Sequence, residues 1–370
     1  MKFSVLQQDL LPVLQTVSRS VGVRSTLPVL DNILLSCEGK KLKVAATNLE
    51  IGVIKFLPVE VEKEGATTVP AKTLLDLVST LNQGKIVLGS ENEILSIKSG
   101  SFSAQINGIS AAEFPAIPLA GDKDIGFTKQ VLNSCAQILF AAALDEGRPV
   151  LTGILTLVKD GKLDLVATDG FRLAHRQVQL ARSEAKRAEG FKSLIPKRTF
   201  EEVLRVLDEE EMDEVHISTS GNQNQIIFSA GKSLISSRLI EGQFPAWEKI
   251  IPQKTATRTV VDREELLKAI KLAAVFAKGE ANIVVLTTKP GTLTLQSSAK
   301  ELGSQENEVE AQVEGENLQV AFNTKFLADV LSADNSTQIM IEFSGPLSAC
   351  LIKPVGVEGL EYIIMPVRLT

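Results

Sequence analysis

Residues 27–53 read LPVLDNILLSCEGKKLKVAATNLEIGV, and residues 148–174 read RPVLTGILTLVKDGKLDLVATDGFRLA. Pro28 pairs with Pro149, Leu42 with Leu163 and Thr47 with Thr168, always 121 positions apart and without a gap. Register kept over this length, with the apolar alternation intact, marks a repeated structural unit, and a repeat governs the reading of a whole fold. Other landmarks recur in the same order. TTVPAKTLLDLVSTL from Thr67 matches SLIPKRTFEEVLRVL from Ser193 and, more weakly, QVAFNTKFLADVLSA from Gln319. AEFPAI from Ala112 matches GQFPAW from Gly242, and MKFSVLQQDLLPVLQTVSRS at the start has a counterpart in RTVVDREELLKAIKLAAVFA from Arg258. Three units follow, 1–120, 121–252 and 253–370, each joint coming after a Phe-Pro pair in a stretch rich in Pro, Gly or Lys.

Each unit reads as strand, helix, strand series, second helix, more strands. Residues 3–6, 29–35, 42–46 and 51–56 are short runs rich in Val, Ile and Leu bounded by turn residues. Leu10, Leu11, Leu14 and Val17 recur at helical spacing, with Pro12 expected in the first turn, where its missing N–H does no harm. Leu74, Leu75, Leu77, Val78 and Leu81 mark a second helix entered through Pro70; Pro196 and Asn323 open its counterparts. The expected class is α+β, two helices laid on antiparallel sheet in each of three units.

Composition narrows the function. With 44% hydrophobic and 23% charged residues, the chain is neither disordered nor a collagen nor a coiled-coil rod. Aromatics are only 5%, with Trp247 and Tyr362 besides phenylalanine, too few for a stacking platform for single strands. Cys37, Cys135 and Cys350 are odd in number and far apart, which fits neither a disulfide framework nor a metal knuckle and points to a reducing cytoplasm. Gln7, Gln8 and Asp9 interrupt any signal-like apolar core, and runs such as 138–144 are too short to span a bilayer, so a soluble cytoplasmic protein is expected.

Phosphate-loop, His-Glu-x-x-His, Cys-x-x-Cys and Gly-x-Ser-x-Gly patterns are all missing. His175 and His216 read as locally satisfied histidines, and Glu201-Glu202 is too common a pair to indicate acid–base chemistry. The run Glu209, Glu210, Glu211, Asp213, Glu214 reads as a solvated turn. Asp169-Gly170 could be a catalytic aspartate at a strand end, but Asn48-Leu49 holds the same place in the first unit, so a hairpin turn explains it better. No catalytic residue, cofactor or metal is expected.

TLPVLDNILL, LVATDGFRLA, FPAW and the terminal YIIMPVRL together resemble the bacterial sliding clamp family, the beta subunit of DNA polymerase III, and the likeness runs from Met1 to Leu369. The resemblance implies three repeated clamp domains, a head-to-tail homodimer closing into a six-domain ring around double-stranded DNA without sequence preference, and no catalysis. It implies as partners the catalytic subunit of DNA polymerase III, the clamp loader, and other polymerases and repair proteins that dock through short peptide motifs, with no membrane involved. Twelve inner helices at about 10 Å spacing make a circle roughly 40 Å across, and removing about one helix diameter leaves a lumen of roughly 28 Å, enough for a duplex and water.

The formal charge is −6, yet the helices expected to line that lumen carry Lys72, Lys197, Arg198, Arg205, Lys268, Lys271, Lys278 and Lys325, with Arg24 and Arg148 just before the matching Pro-Val-Leu stretches. Basic groups gathered on one surface of an acidic protein attract phosphate there while the rest avoids nucleic acid. Carried over from the family, a groove for client peptides would use Leu151, Thr168, Gly170, Arg172, Leu173, Pro245, Lys249, Ile250, Asn323, Phe326, Pro346, Ile363, Met365, Pro366, Val367 and Arg368. Phe171 stands where some relatives have His, Lys249 where Arg is usual, and Pro149-Val150 where some have aromatic residues. The expected dimer contact sets Phe102, Ala104 and Ile106 against the helix end at Ala273, Ala274, Val275 and Phe276. Two other classes compete: an enzyme with its site between repeats, which lacks the polar groups it would need, and an interaction scaffold that encircles no DNA.

Overall fold

The computed structural model describes every residue except 23–26, 120–122, 146, 211, 220–223, 279–281, 302 and 369–370. The chain divides into two compact units, 1–130 with 198–239, and 131–197 with 240–370. The first holds a five-stranded and an eight-stranded sheet, the second a twelve-stranded one.

The 121-residue repeat is a repeat of hydrogen bonds. In the first unit the strands Lys41–Thr47 and Ile51–Pro58 form a hairpin; in the second, Lys162–Thr168 and Arg172–Gln179 do the same. At the first tip Thr47 Oγ1 accepts from the Leu49 N–H and donates to the Ile51 carbonyl, while Asn48 Oδ1 accepts from the N–H groups of Glu50 and Ile51. At the second, Thr168 Oγ1 accepts from Gly170 and donates to Arg172, and Asp169 Oδ1 accepts from Phe171 and Arg172. The tip residue is left-handed in both, Leu49 at φ 75° and Gly170 at φ 93°. Asp169 is a turn residue, and its carboxylate is occupied in building the turn.

Each hairpin is extended by a strand from the next repeat. Ser233–Arg238 pairs antiparallel with Ile51–Pro58, and Leu360–Ile364 with Arg172–Gln179. The strands in the corresponding places of the first and third repeats are Phe102–Asn107 and the first part of Gly303–Gly315. Phe102–Asn107 is the last strand of the five-stranded sheet, paired along its length only with Ile94–Ser99 among the described residues. Residues 303–310 pair with Thr292–Ala299 on one side, while the pairing to Thr257–Asp262 is confined to 311–315, so among the described residues their other side is an open edge.

The helices are α1 (Gln7–Ser18), α2 (Ala71–Thr80), α3 (Lys129–Asn133), α4 (Arg182–Ala188), α5 (Lys197–Glu209), α6 (Arg263–Ala277) and α7 (Thr324–Ser332). Leu10, Val13, Leu14 and Val17 form the buried stripe of α1, as their spacing requires. Asn323 caps α7 through its side-chain oxygen, 2.9 Å from the Lys325 N–H.

Four expectations need correction. Pro12 is the sixth residue of α1, beyond the first turn. The helix starts early because Gln7 is secured at once, its N–H to the Gly84 carbonyl and its amide to the Val78 carbonyl. The strand expected over 29–35 begins only at Asn32, since Pro28–Asp31 is a 3-10 turn, as is Pro149–Leu151; proline suits the first position of such a turn. The first helix of the central repeat ends at Asn133 and gives way to 3-10 turns, where Ser134 Oγ bonds back to the Val131 carbonyl and competes with the helical ladder. The acidic run is no solvated turn at its start. Lys55, 7% exposed, needs countercharge, and Glu209 and Glu210 supply it at 3.0 and 3.5 Å. Burial pushes the Glu209 carboxyl up, but hydrogen bonds from Thr16, Lys55 and Arg19 outweigh it and hold the group below its ordinary range. Glu211 lies outside the described residues.

Pro12 is exposed and leaves the Gln8 carbonyl without its helical donor. Pro12→Ala should therefore stabilise the first unit by about 2 kcal/mol, the interior-proline penalty less the stiffness proline gives the unfolded chain. A urea melt followed by circular dichroism checks it; an unchanged midpoint would mean α1 is relaxed around the proline.

Candidate partner-binding groove

In the second unit the candidate groove residues lie near Arg172. Arg172 is 9% exposed and sits where the Arg172–Gln179 strand leaves the hairpin tip. Nε donates to Asp169 Oδ2 at 3.0 Å, one terminal nitrogen to Asp329 Oδ2 at 2.6 Å and the other to the Phe140 carbonyl at 2.8 Å. The rings of Phe326 and Phe140 flank it, 4.6 and 5.1 Å from centroid to the guanidinium carbon. A planar cation with a rigid fork of donors can serve two carboxylates, a carbonyl and two ring faces at once; a lysine could not. It ties the hairpin to α7 and to the 3-10 turn Leu139–Ala141.

Beside this hub lies an apolar floor. Leu173 and Ile363, paired across neighbouring strands, pack with Leu155, Val166, Leu194, Trp247 and Leu351. Val150, Phe244 and Ile251 close on the same cluster. The chain after the last strand stays in register, Met365 donating to the Phe171 carbonyl at 2.9 Å and Val367 to the Ala321 carbonyl at 2.8 Å. Large apolar groups on the neighbouring segments stay open: Phe171 is 60% exposed, Leu347 55% and Met365 40%. Phe171 lies against Phe326 with ring centroids 6.5 Å apart. Exposed apolar side chains suit an apolar peptide anchor, and Met adapts its shape.

The expected groove residues divide by depth. Leu151, Thr168, Arg172, Leu173 and Ile363 are buried and build the base. Asn323, Phe326, Pro366 and Val367 are half-buried, while Gly170, Pro245, Lys249, Ile250, Pro346, Met365 and Arg368 are exposed. Sequence reading noted Phe171 only as a departure from some relatives and missed Phe140, Trp247 and Asp329. Phe171 carried a usable signal, an aromatic residue directly after a tight turn; Asp329 carried none, since its partner is 157 positions away.

Among the basic candidates, Lys72 on α2, Arg198 and Arg205 on α5, Lys268 and Lys271 on α6, Lys278 at its end and Lys325 on α7 are exposed, and Lys197 is half-buried. Arg205 is paired with Glu202 at 3.1 Å. Arg148 bonds to the Asp169 carbonyl at 3.1 Å and so sits over the hairpin tip of the groove. Arg24 lies outside the described residues. Of the dimer candidates, Phe102 is 38% and Val275 55% exposed, Ala104, Ala274 and Phe276 are half-buried, and Ile106 and Ala273 are committed to their own cores.

Among the described residues no group of acidic, His and Cys side chains could hold a metal, and no helix is long and apolar enough to cross a membrane. The three cysteines are buried and unpaired, and desolvation pushes the Cys37 thiol up to about 11, far from a reactive thiolate.

Family models of the DNA polymerase III beta subunit match the chain three times in succession: the N-terminal domain over 1–118, the central domain over 127–246 and the C-terminal domain over 248–368. The chain is 33% identical to the beta sliding clamp of Synechococcus elongatus and 29% identical to that of Bacillus subtilis, with all of each chain covered. Among solved structures it is similar to the Thermotoga maritima beta subunit (30% identity, TM-score 0.91) and to a Pseudomonas aeruginosa sliding clamp bound to griselimycin (30%, 0.93), again over the whole of both chains.

Removing the Arg172 side chain strands Asp169 and Asp329 beside a half-closed apolar base. Arg172→Ala should destabilise the second unit by about 3 kcal/mol, as breaking a buried ion pair does, with Arg172→Lys recovering only part. Urea unfolding followed by Trp247 emission measures both; equal stability of all three proteins would show that the hub carries no load.

Proposed function

The chain belongs to the DNA polymerase III beta-subunit family, the bacterial sliding clamps, and from that premise we propose that two copies close into a ring around duplex DNA and hold polymerase on it without catalysing any reaction. The observation that carries this reading is the pair of open edges. Two of the three joins between repeats are made inside the chain by antiparallel strand pairs. The third set of partners, Phe102–Asn107 and residues 303–310, lacks a mate among the described residues. Pairing the first with the second of another copy repeats the internal join, and a head-to-tail contact of that kind forms a closed ring when the rotation completes. Phe102 and Ala104 on the strand, with Val275 and Phe276 at the end of α6, are the apolar side chains offered to this contact; Ile106 supports the strand from within its own core.

The domains of this reading are 1–120, 121–252 and 253–370. Arg24, Lys72, Arg148, Lys197, Arg198, Arg205, Lys268, Lys271, Lys278 and Lys325 meet phosphate without reading sequence, which sliding demands, since any strong base contact would halt it. The groove around Arg172 takes short apolar segments of the polymerase, the clamp loader and repair proteins. A cytoplasmic location follows from work on the chromosome.

Two outcomes test the reading. Loaded onto a nicked circle, the protein should stay bound in salt that releases ordinary basic proteins and leave once the circle is cut, because phosphate contacts weaken with salt and a closed ring does not. Equal lifetimes on circular and linear DNA would replace encirclement with a scaffold that binds DNA only loosely or not at all. For the groove, deleting residues 365–370 should abolish calorimetric binding of a polymerase tail peptide while the dimer persists, and Leu173→Ala should weaken it by about 2 kcal/mol, the usual loss at a hot spot. Unchanged affinity in both would remove the groove.

A further inference from the structure

His175 is buried on the Arg172–Gln179 strand, two residues beyond Leu173 and three beyond Arg172. Its Nε2 lies 2.8 Å from Asp164 Oδ1 on the strand before it, and its Nδ1 2.9 Å from Glu361 Oε1 on the strand after it. Ionised carboxylates only accept hydrogen bonds, so both ring nitrogens must donate, and only the imidazolium has two N–H groups. A neutral ring would turn a lone pair toward one of the two carboxylates at contact distance. The ring also lies against the indole of Trp247, centroids 4.4 Å apart.

Trp247 is 7% exposed and packs in the same apolar cluster as Leu173 and Ile363. It opens the 3-10 turn Trp247–Ile250, and its N–H bonds to the Pro245 carbonyl at 2.8 Å. Pro245, Lys249 and Ile250 are exposed groove residues on this segment. The segment is short and irregular, so its position depends on the side chain that anchors it.

We propose that His175 is a positioning residue of the groove: held as an imidazolium between Asp164 and Glu361, it fixes Trp247 and through it the wall formed by residues 245–250. This rests on the groove reading above and adds to it a dependence of client binding on one buried proton.

The charged groups facing the ring are Asp164 from Lys162–Thr168 and Glu361 from Leu360–Ile364; the Trp247 turn presents its indole. Gln177 steadies Asp164 with a 2.9 Å hydrogen bond, and Lys162 bonds to Gln177 at 3.0 Å. Burial lowers the affinity of His175 for its proton, but the hydrogen bonds and charges of Asp164 and Glu361 outweigh burial and leave it above the ordinary histidine value. The sign follows. A group raised on folding stabilises the folded state fully below its unfolded value, and that contribution is lost as pH rises through the folded value. The groove wall is therefore firm below the ordinary histidine value and loosens as pH rises through the raised one.

The experiment uses the full-length protein and a synthetic pentapeptide with leucine and phenylalanine anchors. Trp247 is the sole tryptophan, and an imidazolium quenches indole emission, so the contact reports itself. Emission should rise as pH passes a midpoint above the ordinary histidine value, and calorimetric affinity for the peptide should weaken about fivefold over the same interval, a modest coupling between two sites. Glu361→Gln removes one carboxylate and should move both midpoints together to lower pH; should that variant fail to fold, the wild-type coincidence still decides. Emission that stays flat from about pH 5 to about pH 9, or that titrates while peptide affinity does not, overturns the role of His175. Absence of peptide binding at every pH overturns the groove itself.

Discussion

An antiparallel sheet leaves its outermost strand with a row of unmatched N–H and C=O groups, and everything characteristic of this chain follows from where those rows fall. Three repeats in line make two joins, each a strand of one repeat added to the hairpin of the one before: Ser233–Arg238 on Ile51–Pro58, Leu360–Ile364 on Arg172–Gln179. Among the described residues, the same logic leaves Phe102–Asn107 in the first repeat and residues 303–310 in the third without the mate that their counterparts have. Exposed edges are hazardous unless another chain covers them, and here the two are complementary, because each is the counterpart of strands that already pair inside the molecule. In the proposed dimer the repeat is carried one step further, and a closed ring of that kind stays on DNA by topology.

The proposed groove lies where one copy of a repeated element has diverged from the other. Both hairpin tips use the same Thr-Asx turn, but the residues after it diverge. The second repeat has Arg172 and Leu173 where the first has Ile51 and Gly52. Arg172 recruits Asp329 and two phenylalanine rings, whereas Gly52 has Ile117 so close that a Cβ there would meet its side chain at 2.9 Å. The counterpart of Leu173 is thus filled from its own repeat, and the equivalent depression is closed. Asp169 does double duty, its Oδ1 building the turn as Asn48 does and its Oδ2 holding Arg172.

The repeat, the α+β class and the hairpin at Asp169-Gly170 were legible because they rest on local pattern: apolar alternation, a gap-free register and turn residues at matching positions. Asn323 was readable as a cap for the same reason. Helix boundaries around Pro12 and Ser134 were not, since Gly84 and Val78 set the first and a side-chain bond to Val131 the second. The acidic residues at Glu209 and Glu210 looked solvated because the buried Lys55 they serve is over 150 positions away. In the groove, the family likeness supplied names of residues but not their depth. That Leu173 and Ile363 form a base, that Phe171 stands open above it, and that His175 is clamped between two carboxylates depend on contacts between distant strands.

In the proposed dimer, Phe102–Asn107 pairs with residues 303–310 of a second copy. Hydrogen exchange of those backbone amides, measured across a dilution series and read against the internal joins at Ser233–Arg238 and Leu360–Ile364, tests it most directly. Protection of both segments comparable to the internal joins at high concentration, lost from both together on dilution while the internal joins stay protected, is the expected result. Exchange that is fast in both segments at every concentration, or protection of one without the other, would contradict it.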